Sequence, residues 1–227
     1  MDALPALMNS IKMVHTIARY FNTPERMTDM FVKITYAIIA NCARFVTDLD
    51  RDTTDDNLWR KDPARLVPRL ELCLKVNELY QESYRLTKEK LCLQPLGKQF
   101  DFDEAAIFGR IDSFCRRIIK LIDLYTTVQQ FRALEAHQVD GLAPLIRRFD
   151  VLVSMLQARK HNLMNFMQSD FDRAYVEFNV SVDALELQLQ TFVSTAFEAV
   201  KSVDASLQLL AKFETVLRRQ SLATELS

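Results

Sequence analysis

Between Asp170 and Leu217 the apolar residues fall at Phe171, Tyr175, Phe178, Val182, Leu185, Leu189, Phe192, Ala196, Ala199 and Val203. The steps alternate four and three, the 3.5-residue period of helices packed along a shared seam. The pattern predicts one helix over about 169–201, roughly 50 Å long at 1.5 Å per residue. A helix of that length cannot bury its stripe alone, so the upstream chain must supply its partners. The phase slips over 200–206, where Ser206 takes an apolar position, and Leu207, Leu210, Phe213 and Leu217 restart the stripe. A break or kink is expected there.

Upstream, residues 2–21 form a first predicted helix, with Leu4, Leu7, Ile11, Val14, Ala18 and Phe21 near one face. Thr23 and Pro24 then suit the N-cap and first helical position, and Glu25 complements the helix dipole. The helix they start runs to about Leu49 on a stripe of Met27, Phe31, Ile34, Ile38, Cys42, Phe45 and Leu49. The stretch 50–62 is polar and acidic and predicts an exposed loop. Asp62-Pro63 opens a third helix, whose regular part is expected nearer Val67 because Pro68 is tolerated only in a first turn. It continues through Leu70, Cys73, Leu74, Asn77, Tyr80 and Tyr84 to about Leu93, where Gln94-Pro95-Leu96-Gly97 breaks it.

Asp103 is the expected cap of a fourth helix running to about His137. Its apolar residues, from Ile107 and Phe108 to Leu124 and Tyr125, cover more than half the circumference, which predicts packing on at least two sides. Asp140-Gly141 turns the chain into a fifth helix over about 142–160, carrying Leu145, Phe149, Leu152 and Leu156. The fold class expected is all-α: one or more elongated bundles of about six to seven long antiparallel helices, with possible sub-bundles 1–93 and 103–227. Composition agrees, since three glycines are far too few for turn-rich β architecture.

Charge narrows the partners. Lys and Arg total 29 against 30 Asp and Glu. Phosphate-dominated affinity favours a basic excess, so nucleic-acid binding and direct membrane insertion are not expected. The longest purely apolar run, 36–40, is too short to cross a bilayer, and Met1-Asp2-Ala3-Leu4-Pro5 lacks the pattern of a signal peptide. Cys42, Cys73, Cys92 and Cys115 form no C-x-x-C pair and read as small core residues in a reducing compartment. A soluble, intracellular protein is expected.

The sequence offers no catalytic motif. It contains no G-x-x-x-x-G-K-[ST], no G-x-G-x-x-G and no G-x-S-x-G. A di-iron bundle would need Glu-x-x-His pairs, and none occurs. The acidic stretch 50–62 lacks the central glycine and distant glutamate of a calcium loop. His15, His137 and His161 stand in different segments and read as surface or interface residues. No enzyme activity, cofactor or metal is therefore expected. Arg116, Arg117, Lys120, Arg147 and Arg148, with Arg159 and Lys160, form a candidate basic surface for an acidic partner, though solvated helix faces are the commoner outcome. Beside the seam, Val176, Val180, Leu187, Val193 and Val200 either widen the core or, if exposed, mark a groove for a partner helix.

Four stretches, in order, resemble the N-terminal tail of dynein heavy chains, the axonemal kind in particular. They are Ile17-Ala18-Arg19-Tyr20-Phe21-Asn22-Thr23-Pro24-Glu25-Arg26-Met27; Tyr84-Arg85-Leu86-Thr87-Lys88-Glu89-Lys90-Leu91; Phe100-Asp101-Phe102-Asp103 leading to Ile107-Phe108-Gly109-Arg110-Ile111-Asp112-Ser113-Phe114-Cys115-Arg116-Arg117; and Phe171-Asp172-Arg173-Ala174-Tyr175-Val176-Glu177-Phe178-Asn179. The resemblance covers about residues 10–220. Ala174-Tyr175 stands where the family commonly has an acidic residue and Phe, and His15 stands where Trp is frequent. The resemblance implies a non-catalytic tail segment, all of 1–227, that associates with other dynein heavy chains and with intermediate and light chains. Through them it would attach to cargo or the axoneme, and it would meet microtubules only within the full complex. The ATPase ring of such a motor lies elsewhere in its chain. The expected location is cytoplasmic and cytoskeletal, with the cilium or axoneme favoured. The alternative is a free-standing helical-bundle adaptor with a membrane or signalling role.

Overall fold

The computed structural model describes residues 3–48, 58–93, 99–136, 141–199, 202 and 207. Among them are six α-helices, a single 3-10 turn at Leu58–Arg60, and no strand. The helices are α1 (Ala3–Ile17), α2 (Pro24–Thr47), α3 (Pro63–Cys92), α4 (Glu104–Ala136), α5 (Ala143–Ala158) and α6 (Asp170–Ala199). The fold is an all-α helical bundle architecture. Of the acidic stretch 50–62 expected as an exposed loop, residues 58–62 are described, and Leu58 and Lys61 among them are buried; the rest of it, the expected kink near 200–206 apart from 202, the restarted stripe at 207–217 apart from 207, and His137 lie outside the described residues.

The chain forms two compact units, Met1–Ile122 and Asp123–Ser227, and the division falls inside α4. It does not fall at the Pro-Gly break near 94–97 that suggested sub-bundles 1–93 and 103–227. A helix apolar around much of its circumference can belong to both units, and α4 does so. Ile107, Phe108, Ile111, Phe114, Ile118 and Leu121 are buried in its first part, and Leu124, Tyr125, Val128, Phe131 and Leu134 in its second.

In the first unit α1 and α2 both pack on α3. Opposed residues show α2 and α3 to be antiparallel: Phe31 lies against Tyr84, Cys42 against Cys73 and Phe45 against Arg69. α3 and the start of α4 are antiparallel too, with Gln81 Nε2 donating to Asp112 at 2.9 Å and Lys88 bonded to Glu104 at 2.6 Å. Two helix starts follow the sequence closely. Thr23 Oγ1 accepts from Arg26 N, and Asp62 Oδ1 accepts from Ala64 N at 3.0 Å.

Three local expectations are corrected. α1 stops at Ile17, not Phe21, and the Arg26 guanidinium then holds the turn by donating to the Tyr20 carbonyl at 2.5 Å and stacking over its ring at 3.7 Å. α3 begins at Pro63 and keeps Pro68 inside it. The N–H that Pro68 lacks would have met the Ala64 carbonyl, and both residues are exposed, so water can satisfy that oxygen. Finally, the buried stripe of α2 is Met27, Phe31, Thr35, Ile39, Cys42 and Val46. Ile34 and Ile38 are half-buried and Phe45 is exposed. Most of its steps are four rather than alternating four and three, so the buried face drifts round the helix from the predicted line.

By length and mean hydropathy α2 could cross a membrane. Its buried stripe, however, packs on α3, and Glu25, Asp29, Lys33 and Arg44 punctuate it. This is the pattern of a helix laid on a protein core.

In the second unit α5 and α6 form an antiparallel pair. Arg148 Nη1 donates to Gln188 at 2.7 Å at one end, and Arg159 pairs with Glu177 at 2.8 Å at the other. The connection is built from polar side chains turned on the backbone: Asn162 Oδ1 accepts from Met164 N and Asn165 Oδ1 from Met167 N, each at 3.2 Å. Lys160 has a positive φ of 47°, which turns the chain out of α5.

Candidate functional site

The described residues contain no group of three or more His, Cys, Asp or Glu placed to hold a metal. The residues that organise this molecule are apolar and aromatic, and they form one centre in each unit.

In the second unit the centre is the α6 seam. Phe171, Tyr175, Phe178, Val182, Leu185 and Leu189 are all buried, while Phe192 and Ala196 are half-buried towards the helix end. The side chain of Ala199, and Val203, lie outside the described residues. Phe149 of α5 fills the seam's opposite wall, stacked flat on Phe131 of α4 with centroids 3.9 Å apart and edge-on to Phe178 at 6.1 Å. Such pairs add about 0.5–1.5 kcal/mol each beyond the area they bury. Tyr175, at the position where Phe is common, donates its hydroxyl to Asp123 Oδ2 at 2.6 Å. Ala174 is also buried at 2% exposure, which leaves no room for the acidic residue common there. Gly141, with φ of +92°, brings its backbone so close to α6 that a Cβ would lie 2.9 Å from the Phe192 ring.

The fringe beside the seam divides. Val176, Val180 and Leu187 are exposed, at positions opposite the buried line, and Val193 is half-buried. Val200 is outside the described residues.

In the first unit the centre is an aromatic cluster that joins two of the signature stretches, 84–91 and 100–117, to His15 and Phe31. Along Phe100-Asp101-Phe102-Asp103, outside any helix, buried and exposed side chains alternate. Both phenylalanines turn inward and are buried, and Asp101 and Asp103 remain outside. Phe100 lies 5.6 Å from Tyr84 and 6.0 Å from Phe31; Tyr84 lies 5.1 Å from Phe108. The outward Asp101 and Glu104 both meet Lys88, at 2.7 and 2.6 Å. Asp103 Oδ1 accepts from Ala106 N at 3.0 Å and so caps α4. Hydrogen bonds that the Lys88 ammonium donates to Asp101 and Glu104 hold its pKa above the ordinary value. Burial pushes Tyr80 and Tyr84 up to about 12.

His15, expected as a surface or interface residue, is not on the surface and belongs to this cluster. It is 3% exposed and sits edge-on to Phe100 at 5.3 Å and Phe102 at 5.6 Å. An aromatic slot explains how His can stand where Trp is frequent. His161 is half-buried beside Phe171, with ring centroids 6.1 Å apart.

Of the basic group, Arg116 is exposed and Lys120 half-buried in the first unit, and Arg147 and Arg148 are exposed in the second. Arg117 is 2% exposed, a buried side chain of the interior. Of the four cysteines expected in the core, Cys42 and Cys73 are buried and Cys115 is half-buried, but Cys92 is exposed in the last turn of α3. The sequence reading missed the role of Phe100 and Phe102, because two aromatics outside any helical period carry no periodic signal. Only the Phe-Asp-Phe-Asp alternation could have revealed it.

The described residues thus form two all-α units whose motif-bearing aromatic residues are spent on packing. Over residues 1–227 the chain matches the dynein heavy chain, N-terminal region 1. It is 36% identical over 226 residues to the dynein gamma chain of the flagellar outer arm of Chlamydomonas reinhardtii, covering 99% of this chain and 5% of that protein. It is 33% identical over 213 residues to dynein axonemal heavy chain 5 of Rattus norvegicus, covering 94% and 6% respectively. Against dynein axonemal heavy chain 8 of Homo sapiens the identity is 27% over 208 residues, 92% of this chain and 4% of that one. The chain belongs to the dynein heavy-chain family and corresponds to the tail region. It spans about a twentieth of the length of these relatives.

Proposed function

We propose that this chain is a non-catalytic scaffold segment of an axonemal dynein heavy chain, which associates with other heavy chains and with intermediate and light chains. The observation that carries this reading is the family match over the whole chain, joined to relatives that are themselves flagellar or axonemal dyneins. The physical character of the molecule supports it. Its signature residues form packing centres, and the sequence carries no P-loop to bind a nucleotide. Any ATP hydrolysis belongs to a motor region elsewhere in the heavy chain, and contact with microtubules comes only through the assembled complex. The α6 seam, Phe171 to Ala196, keeps the second unit folded so that its outer surfaces can be presented. The same relatives support residence in the cytoskeleton of the cilium.

The test is affinity capture from ciliary extract with the tagged chain, read by mass spectrometry. Recovery of a dynein intermediate chain or heavy chain is expected. Recovery of neither, from a sample whose circular dichroism shows folded helix, would count against the scaffold role and favour a free-standing adaptor.

A further inference from the structure

Cys42 of α2 and Cys73 of α3 come together although 30 residues and the acidic stretch separate them. The Cys73 thiol donates to the Cys42 carbonyl at 3.7 Å, which sets the two cysteines side by side. Both are buried, but they form the floor of an open, apolar groove of about 280 Å³. Its walls are Ile38, Phe45, Leu72 and Val76. Ile38 and Phe45 are the residues that the drift of the α2 stripe left out of the core. Phe45 and Leu72 are 39% and 40% exposed, so a small solute reaches the floor between them.

We infer that Cys42 and Cys73 are a reversible oxidation site, at which a hydroperoxide converts the two thiols to a disulfide that staples α2 to α3. The order of attack follows from the placement of the Cys73 proton. The Cys42 carbonyl holds the Cys73 S–H, and burial raises the Cys73 pKa, so Cys73 stays protonated while Cys42, whose pKa is lowered beside it, ionises first. The Cys42 thiolate sulfur therefore attacks a peroxide oxygen. The O–O bond breaks, hydroxide leaves and is protonated to water, and Cys42 becomes a sulfenic acid. The Cys73 sulfur then attacks the Cys42 sulfur. The S–S bond forms, the S–O bond breaks, and hydroxide leaves as water with the Cys73 proton. With hydrogen peroxide the balance is two thiols and one peroxide to one disulfide and two waters. The second step outruns further oxidation because the resolving thiol lies beside Cys42 in the same groove.

The experiment treats the folded chain, carrying Cys92→Ser to remove the exposed thiol, with hydrogen peroxide. It is then alkylated, denatured and digested with trypsin without reduction. A cross-linked species joining peptides 34–44 and 70–75 is expected, with loss of two alkylatable thiols, a melting temperature raised by several degrees and full reversal by dithiothreitol. Cys73→Ala should abolish the cross-link and leave a Cys42 sulfenic acid that dimedone traps, provided circular dichroism shows native helix. Two alkylatable thiols surviving at Cys42 and Cys73, or Cys42 driven to the sulfinic acid while Cys73 stays free, would overturn the inference. A disulfide joining Cys115 to either partner in place of the pair would overturn it as well. None of these readouts depends on dynein partners.

Discussion

The Tyr175 hydroxyl donates to the Asp123 carboxylate at 2.6 Å, tying the first turns of α6 to the part of α4 that belongs to the second unit. Tyr175 is 8% exposed, so this is a bond sheltered from water on one side. Tyr175→Phe keeps the ring in its slot and removes only the donor. A loss of about 1 kcal/mol is expected, the net worth of a typical hydrogen bond, since other contacts of Asp123 survive. Chemical denaturation of the two proteins measures it; identical midpoints would show that the bond contributes nothing.

Two leucines two residues apart separate seam from surface. Leu189 is 2% exposed and Leu187 is 64% exposed. Leu189→Asp places an unpaired carboxylate in the seam and should cost on the order of 4 kcal/mol or unfold the unit. Leu187→Asp should fall within about 0.5 kcal/mol of wild type. Thermal melts followed by circular dichroism compare them, and equal effects would mean that the seam is misassigned.

Gly141 is the glycine whose absence of a side chain the second unit requires. Gly141→Ala meets both a left-handed backbone and the Phe192 ring, and should cost about 1–2 kcal/mol. Adding Phe192→Ala relieves the contact but not the backbone strain. The double variant is therefore expected to show coupling: its loss should be smaller than the two single losses added together, and strict additivity would deny the contact.

Alkali should unfold the aromatic centre of the first unit. Tyr80 and Tyr84 ionise near 10.0 when exposed but at about 12 in the fold, so the unfolded chain loses its protons first and stability falls as pH rises from 10 to 12. Lys88 adds to the same trend, because its raised value gives stability that is present below 10.5 and lost as pH climbs beyond. Tyr84→Phe should flatten the slope in this window, as measured by denaturant midpoints between pH 9 and 12. Lys88→Met should cost only about 0.5–1 kcal/mol at pH 7, since the lysine side chain is 31% exposed and solvent screens the pairs. An unchanged slope in Tyr84→Phe would place the alkaline transition elsewhere.

Regular periodicity was the readable part of this chain. The α6 line from Phe171 to Leu189 and the caps at Thr23, Asp62 and Asp103 follow from residue spacing and side-chain chemistry alone. Drift was not readable in α2, where Thr35, Ile39 and Val46 took the core side from Ile34, Ile38 and Phe45. Adjacent apolar residues are equivalent to a periodic template, and only the partner helix chooses between them. Two sites escaped the sequence reading for related reasons. Phe100 and Phe102 lie outside any helix, and the meeting of Cys42 with Cys73 depends on how α2 pairs with α3. Arg117 misled in the opposite sense, since a charged side chain beside Arg116 gives no local sign that it is buried.

The scaffold reading makes binding depend on a folded seam. The most direct measurement is the yield of dynein intermediate chain captured from ciliary extract by equal amounts of wild type, Leu187→Asp and Leu189→Asp. Wild type should recover it, and Leu189→Asp should lose both its helical melt and its capture. Equal recovery by wild type and a Leu189→Asp protein shown to be unfolded would contradict the account, because capture would then need no bundle at all.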